Sequence, residues 1–441
     1  MPFVPSERTG KASMRTVFKP FFRLLGIAAC CYAMAHAAFA QGITSGPESV
    51  QASTPPKAAA SAGPGRADPP VAFAPVVPGR PLTFPQDLGA HPDFRTEWWY
   101  ATGWLQQPNG KPLGFQITFF RSATEHDRAD PSAFAPTQLI IAHAALSNPD
   151  FGHLVHDQRI ARQGFDLAYA RAGDTNVKLD NWHMTRDANG GYQVSVTTAT
   201  LSLHLRLMPT QPVMRQGEDG YSQKGPNPSE ASYYYSEPQL QVSGYVSAVP
   251  DPSARTGSST ATATTNDGKV AAQTTAHDGS KPTPLLNVPV TGSAWLDHEW
   301  SSTVLNPKAV GWDWLGANMD DGSALMAFAI RGKDGQAIWA HAAWRDVNGT
   351  VKNFGPDAVA FIPLRRWRSP RTDITYPVAQ QLGTGAIRWQ LIPLFDDQEL
   401  DSSQSTGAVY WEGAVRISRN GQHVGHGYLE LTGYGKPMGF E

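Results

Sequence analysis

The run Trp295-Leu296-Asp297-His298-Glu299-Trp300 sets two carboxylates and an imidazole among indole rings. On a strand, Trp295, Asp297 and Glu299 share one face, and His298 lies opposite beside Leu296 and Trp300. A carboxylic acid buried near an apolar pocket has its pKa raised and stays protonated, ready to act as a general acid. A structural reading stands beside that one. Asp297 and Glu299 would then pair with arginines or accept backbone N–H bonds where two units meet, and Trp295 and Trp300 would be packing. Two further clusters share this aromatic-acidic character. His91-Pro92 precedes Glu97-Trp98-Trp99-Tyr100, where Glu97 and Trp99 face one side of a strand and Trp98 and Tyr100 the other. Gly311-Trp312-Asp313-Trp314 is the third.

Other chemistries find little support. His298-Glu299 is followed by Trp300-Ser301-Ser302, so the metalloprotease H-E-x-x-H pattern is absent. His153 and His156 near Asp157 make a weak metal site. No G-x-S-x-G elbow, phosphate loop or dinucleotide fingerprint occurs. The expectation is therefore no cofactor and no metal. His143 and His341 sit in a repeated Ala-His-Ala-Ala run and read as fold histidines with a satisfied ring nitrogen.

The elements that would position these residues are short alternating runs such as Trp98–Leu105, Leu113–Phe120, Gln193–Leu207 and Leu325–Ile330. Turn signals such as Pro108-Asn109-Gly110 and Asn348-Gly349 separate several of them. No sustained 3.6-residue periodicity appears, so the chain reads as all-β. Gly and Pro, 41 and 36 of the 441 residues, fit a turn-rich β protein better than a helical bundle.

The pattern also repeats. Ala142-His143-Ala144-Ala145-Leu146 recurs as Ala340-His341-Ala342-Ala343-Trp344. The Trp98/Trp99, Gly110, Arg121 series recurs as Trp312/Trp314, Gly322, Arg331. Tyr192 and Pro209 are echoed by Tyr376 and Pro393, Gly244 by Gly413, and the Gly292–Asp297 run by Gly425–Glu430. Glu430 thus matches Asp297, which favours a framework role for a carboxylate there. The order implies two units, 82–303 and 304–441, each able to close as an antiparallel barrel. A sandwich is the alternative.

The ends of the chain read differently. Arg8, Lys11, Arg15, Lys19 and Arg23 precede an apolar stretch from Leu24, and Ala38-Phe39-Ala40 fits an export cleavage site. Residues 1–40 are therefore expected to be a signal peptide cut after Ala40, giving a periplasmic or secreted protein. Lipidation at Cys30 and a membrane span are the competing readings. Cleavage removes five basic residues and Glu7, taking the formal charge from -2 to -6, and removes both cysteines. A mildly acidic exported chain has no electrostatic case for nucleic acid. Residues 41–81 read as a Pro/Ala/Ser tether, and 250–284 as a disordered insertion in the first unit.

HPDFRTEWWYATGWL (91–105), AHAAL (142–146), ASYYYSEPQLQVSGYV (231–246) and AWLDHEW (294–300) resemble the carotenoid 1,2-hydratase (hydroxyneurosporene synthase) family and its AttH-type relatives. The resemblance spans about 84–441 and implies two tandem lipocalin-like barrels. Those hydratases protonate an isoprenoid double bond and add water, without cofactor. His298 and Trp300 match the family's His/Trp pair. The Tyr-x-Asp expected on a following strand is missing from Leu325–Ile330, unless Asp297, Glu299 or Asp313 substitutes.

Many relatives are exported and occur with lipid or lipoprotein transport systems. The resemblance therefore implies an exported protein that binds a lipid or isoprenoid, in a barrel or in the cleft between barrels. Glu97, Trp98, Trp99, Tyr100, Trp295, Trp312 and Trp314 are the expected ligand contacts. The alternative is a cofactor-free hydratase with His298, Asp297, Trp300 and Glu299 as its catalytic set. A third reading is an accessory factor that contacts a membrane transporter.

Overall fold

The computed structural model describes residues 72–250, 282–303 and 305–437. The expected signal and most of the tether lie outside these residues, as do residues 251–281 of the insertion expected at 250–284. The tether reading is corrected at its C-terminal end. Residues 72–81 are laid against the fold, with Val76 buried and Val77 exchanging two hydrogen bonds with the Tyr233 hydroxyl. Two apolar residues are too few to show a period. They suffice here because Tyr233, Leu82, Phe94 and Trp300 already form an apolar shelf beneath them.

Apart from two 3-10 turns, Gln86–Leu88 and Pro356–Ala358, the described elements are strands in two antiparallel sheets. The first begins with β1 (Thr96–Gln106), β2 (Pro112–Ala123), β3 (Gln138–Ser147) and β4 (Leu154–Arg162). It continues with β5 (Ala168–Ala170), β6 (Asn176–Leu179), β7 (Trp182–Arg186), β8 (Tyr192–Thr197) and β9 (Leu201–Met208). Two short strands, β10 (Met214–Arg215) and β11 (Tyr221–Gln223), lead into the long pair β12 (Ala231–Ala248) and β13 (Leu285–Ser301).

The second sheet starts with β14 (Ala309–Met319), β15 (Ala324–Gly332), β16 (Ala337–Arg345) and β17 (Val351–Phe354). It continues with β18 (Val359–Arg368), β19 (Thr375–Thr384), β20 (Ile387–Pro393), β21 (Glu399–Ser402), β22 (Ala408–Arg419) and β23 (Gln422–Leu431).

The duplication expected from the sequence is visible in the strand order. The first sheet runs β4-β3-β2-β1-β13-β12-β9-β8-β7-β6-β5, and the second runs β17-β16-β15-β14-β23-β22-β20-β19-β18. Position for position the two match, with β5 and β6 as additions at one edge. In each sheet the last long strand returns to pair with the first, and the outer strands curl towards one another. Each half is therefore a lipocalin-like, barrel-like unit.

Three apolar layers follow from side-chain alternation. On β1, Trp99, Ala101 and Leu105 point into the first half, against Phe115, Trp182 and Leu205. In the second half, Leu315, Leu325, Trp389 and Trp411 do the same. The alternate residues of β1, Tyr100 and Trp104, join Tyr234 and Trp295 in a layer shared with Trp314, Phe328 and Tyr428 of the second sheet. Each large buried ring contributes roughly 1.5–3 kcal/mol of transfer free energy, so this layer couples the halves. Polar clasps accompany it. Trp104 donates to the Gly427 carbonyl at 2.9 Å, and His143 meets the Tyr410 hydroxyl and Ser405 Oγ, each at 2.9 Å. His143 is thus a satisfied fold histidine.

Candidate active site between the two halves

β13 divides the residues singled out in the sequence. Its register places Asp297 opposite Tyr100, His298 opposite Trp99 and Glu299 opposite Trp98 on β1. Side chains alternate, so Trp295, Asp297 and Glu299 look into the layer between the halves. His298 and Trp300 look the other way. The four residues expected as one catalytic set therefore belong to two sites on opposite faces of one sheet. Of the expected ligand contacts, Trp98, Tyr100, Trp295, Trp312 and Trp314 lie in or against the shared layer, while Glu97 and Trp99 belong with His298.

The face that includes His298 is a closed framework. Glu97 is fully buried; its Oε1 meets His298 Nε2 at 2.8 Å and His91 Nδ1 at 2.7 Å. Its Oε2 accepts from Arg121 Nε at 2.8 Å and from the His91 backbone at 2.9 Å. Burial works against the charge, but the two histidines outweigh it and hold this carboxyl far below the usual range. His91 also meets Asp87 at 2.9 Å, and with a carboxylate on each ring nitrogen its pKa is raised despite burial. Burial pushes the His298 imidazole down. The neutral ring gives Nε2–H to Glu97 and meets the Tyr235 hydroxyl at 3.0 Å through Nδ1. Trp300 stacks on His91 at 3.8 Å and Trp99 on His298 at 4.6 Å. This network fixes the N-terminal segment to β1 and β13, with Arg121 Nη1 and Trp300 Nε1 as its buried unmatched donors. Its counterpart in the second half is the Arg331–Asp313 pair at 2.8 Å, joined by the Tyr434 hydroxyl.

The other face carries Asp297 and Glu299. Asp297 is buried and receives three uncharged donors: Tyr234 Oη at 2.6 Å on Oδ2, with Ser236 Oγ at 2.5 Å and Trp295 Nε1 at 2.6 Å on Oδ1. Burial dominates these donors and pushes its pKa up to about 7. Trp314 Nε1 donates to Tyr234 Oη at 3.1 Å, so a hydrogen-bond chain runs from the second half to the acid. Glu299 differs: its Oε1 accepts from Ser232 Oγ at 2.5 Å and meets Lys224 Nζ at 3.0 Å. Lys224 lies over the Tyr234 and Phe328 rings, 4.6 and 4.2 Å from their centroids. Asp313, the third substitute considered for the missing proton donor, is tied to Arg331.

The second half faces Asp297 with acids of its own. Glu430 pairs across from Trp314 on β14 and Glu412 on β22, and it accepts from Trp312 Nε1 at 3.1 Å. Burial raises the pKa of both glutamates, helped at Glu412 by the charge of Glu430 and at Glu430 by those of Asp297 and Glu299. Neither oxygen of Glu412 meets a donor at hydrogen-bonding geometry, and the Tyr100 hydroxyl is likewise unmatched. Tyr100 and Tyr410 are its polar neighbours. The framework role expected for the Asp297/Glu430 position takes a different form, since neither pairs with arginine.

Sequence reasoning missed Lys224, Glu412 and Tyr410. It also left Tyr234 and Ser236 without a role, although both lie in the quoted ASYYYSEP run. Glu412 follows Trp411 just before Gly413, a position the repeat had already marked. Lys224 follows β11 in a loop and carries no signal of its own.

Core side chains line the interiors of both halves. A recess of about 10 Å³ reaches the shared layer, lined by Trp104, Trp295, Gly316, Asn318, His426 and Tyr428.

Fold and site together define a tandem lipocalin-like β protein with an acid-bearing aromatic layer between its halves. The AttH-like family profile matches residues 75–434, and the chain belongs to the AttH-like family. A crystal structure from Nitrosomonas europaea, solved as a candidate AttH, is 55% identical and superposes with a TM-score of 0.70, covering 82% of this chain and 100% of its own. Kievitone hydratase from Nectria haematococca shares the fold at 12% identity and a TM-score of 0.57, over 83% of this chain and 98% of its own. No curated protein matches the sequence.

Proposed function

We propose that this AttH-like protein is a cofactor-independent, hydratase-type enzyme for a hydrophobic alkene, with Asp297 as general acid in the layer between the halves. One observation carries the reading. Of the three acids that could replace the missing donor, Asp297 alone is buried among uncharged donors and not paired with a cation. Its proton would pass to an alkene carbon, directly or through the Tyr234 hydroxyl. The indole faces of Trp98 and Trp314 would stabilise the cation on the adjacent carbon. Water then adds to that carbon, and its proton returns to the Asp297 carboxylate. An isoprenoid or lipid chain is the substrate class such a layer suits, and a hydratase shares the fold. The substrate would enter at the Trp104/Trp295 recess by parting the rings.

A second reading, binding without turnover, is favoured by the closed packing of the layer. The export signal read in residues 1–40 would put either activity in the periplasm or outside the cell, and fractionation of cells expressing the full chain tests that. Turnover is tested with acyclic isoprenoid alkenes in ¹⁸O-labelled water. Labelled alcohol from the wild type, and none from Asp297→Asn, is the expected result. No label across several isoprenoids, with a lipid retained in native mass spectrometry, would favour binding instead.

A further inference from the structure

The geometry points to a divalent transition-metal site formed by Asp320, His423 and His426 at the rim of the recess that leads to the shared layer. Their ligand atoms lie within 4.8 Å of one another. His423 Nε2 is 3.5 Å from Asp320 Oδ2, and His426 Nδ1 is 3.9 Å from Asp320 Oδ1.

This convergence depends on a local irregularity. Residues three apart on a regular strand point to opposite faces. On β23, however, Ser418 pairs with His423 and Ile417 with Gly425, so Val424 is an extra, bulged residue. A bulge re-aims side chains, and it brings the two imidazoles together with ring centroids 4.6 Å apart. The Asp320 backbone N–H donates to the Val424 carbonyl at 3.0 Å. The bulge that turns His423 thus also holds Asp320 beside it.

The contrast with the buried His91–Glu97–His298 group is instructive. There, Asp87, Tyr235 and Arg121 already engage the potential ligand atoms. Among the described residues, Asp320 is the sole ion-pair partner of His423 and His426. All three side chains reach solvent.

Two imidazole nitrogens and one carboxylate oxygen suit Zn²⁺, Ni²⁺ or Cu²⁺ rather than Mg²⁺ or Ca²⁺. Metal–ligand bonds of about 2.0–2.2 Å put neighbouring ligands roughly 3.3 Å apart in a tetrahedron, so side chains whose ligand atoms now lie within 4.8 Å would close in on the ion by rotation. Three protein ligands leave a position for water or an anionic group. His426 also lines the recess, with its ring 4.4 Å from that of Trp104. A bound ion would therefore sit where a ligand's polar end would emerge from the aromatic layer.

Calorimetric titration of the untagged protein with Zn²⁺ tests the assignment, alongside His423→Gln and Asp320→Asn. The expected result is one ion per chain, with affinity at least about tenfold weaker in each variant and unfolding in the absence of metal unchanged. Absence of saturable one-to-one binding, or equal affinity in wild type and both variants, would overturn the site. Both variants alter exposed side chains. Should one lose the fold, the other decides.

Discussion

Asp297 and His298 are consecutive residues that work on opposite faces of one strand: Asp297 faces Tyr234 and the second half, and His298 faces Glu97 inside the first. The separation makes their functions separable. Asp297→Asn keeps the size and most hydrogen-bonding capacity of the side chain but removes the proton. Turnover should fall about 10²–10⁴-fold, with little change in the urea midpoint at pH 4, where the native carboxyl is protonated. His298→Ala removes a donor from a fully buried carboxylate and should lower stability by roughly 1.5–3 kcal/mol. Kinetics and urea denaturation of the two variants check this assignment.

The raised pKa of Asp297 predicts a pH dependence of definite sign. Between its ordinary 3.8 and about 7, the folded protein holds a proton that the unfolded chain releases. This contribution is present at low pH, declines as pH rises through that window and is gone above it. The difference in Tm between wild type and Asp297→Asn should therefore fall from pH 4 to 7 and then level off. Activity should fall through the same upper limit as the acid ionises. His91, also raised, contributes stability below pH 6.5 that is lost as pH climbs past its higher folded value. A Tm difference that grew with pH would contradict the assignment for Asp297.

Much of this arrangement was legible before any coordinates. Strand alternation alone placed Trp295, Asp297 and Glu299 on one face and His298 with Trp300 on the other, and the Gly292/Gly425 and Arg121/Arg331 echoes gave the duplication. The partners of those faces were not legible. That Glu97 would clamp His298, 201 residues away, depends on β13 returning to pair with β1. That Lys224 would reach Glu299 depends on a loop with no period. Grouping Asp297 with His298 as one set followed their adjacency in the chain, where a strand's two faces required separating them. The Val424 bulge that joins His423 to His426 breaks the very periodicity by which strands are read.

The Lys224–Glu299 pair should behave as a buried ion pair. Lys224→Met leaves the Glu299 carboxylate in the aromatic layer without its cation and should cost about 3–5 kcal/mol. The double variant Lys224→Met/Glu299→Leu should recover most of that loss, because two apolar groups need no partner. A double-mutant cycle on urea-unfolding free energies checks the coupling.

Gly316 tests whether the layer is packed as described. A Cβ at this position would lie 2.6 Å from the Trp314 ring and 3.0 Å from that of Trp295. Gly316→Ala should displace both indoles and destabilise by roughly 1–3 kcal/mol. A shift in tryptophan fluorescence should accompany the lower Tm. Unchanged emission and stability would show that the two rings do not meet there.

The most direct measurement is the protonation state of Asp297 itself. Infrared difference spectra of wild type against Asp297→Asn should reveal a protonated carboxyl C=O band at pH 5 that bleaches as pH is raised through about 7. A band that persists to that range supports a buried general acid between the halves. A carboxylate signal already present at pH 5, with no protonated band assignable to Asp297, would contradict it.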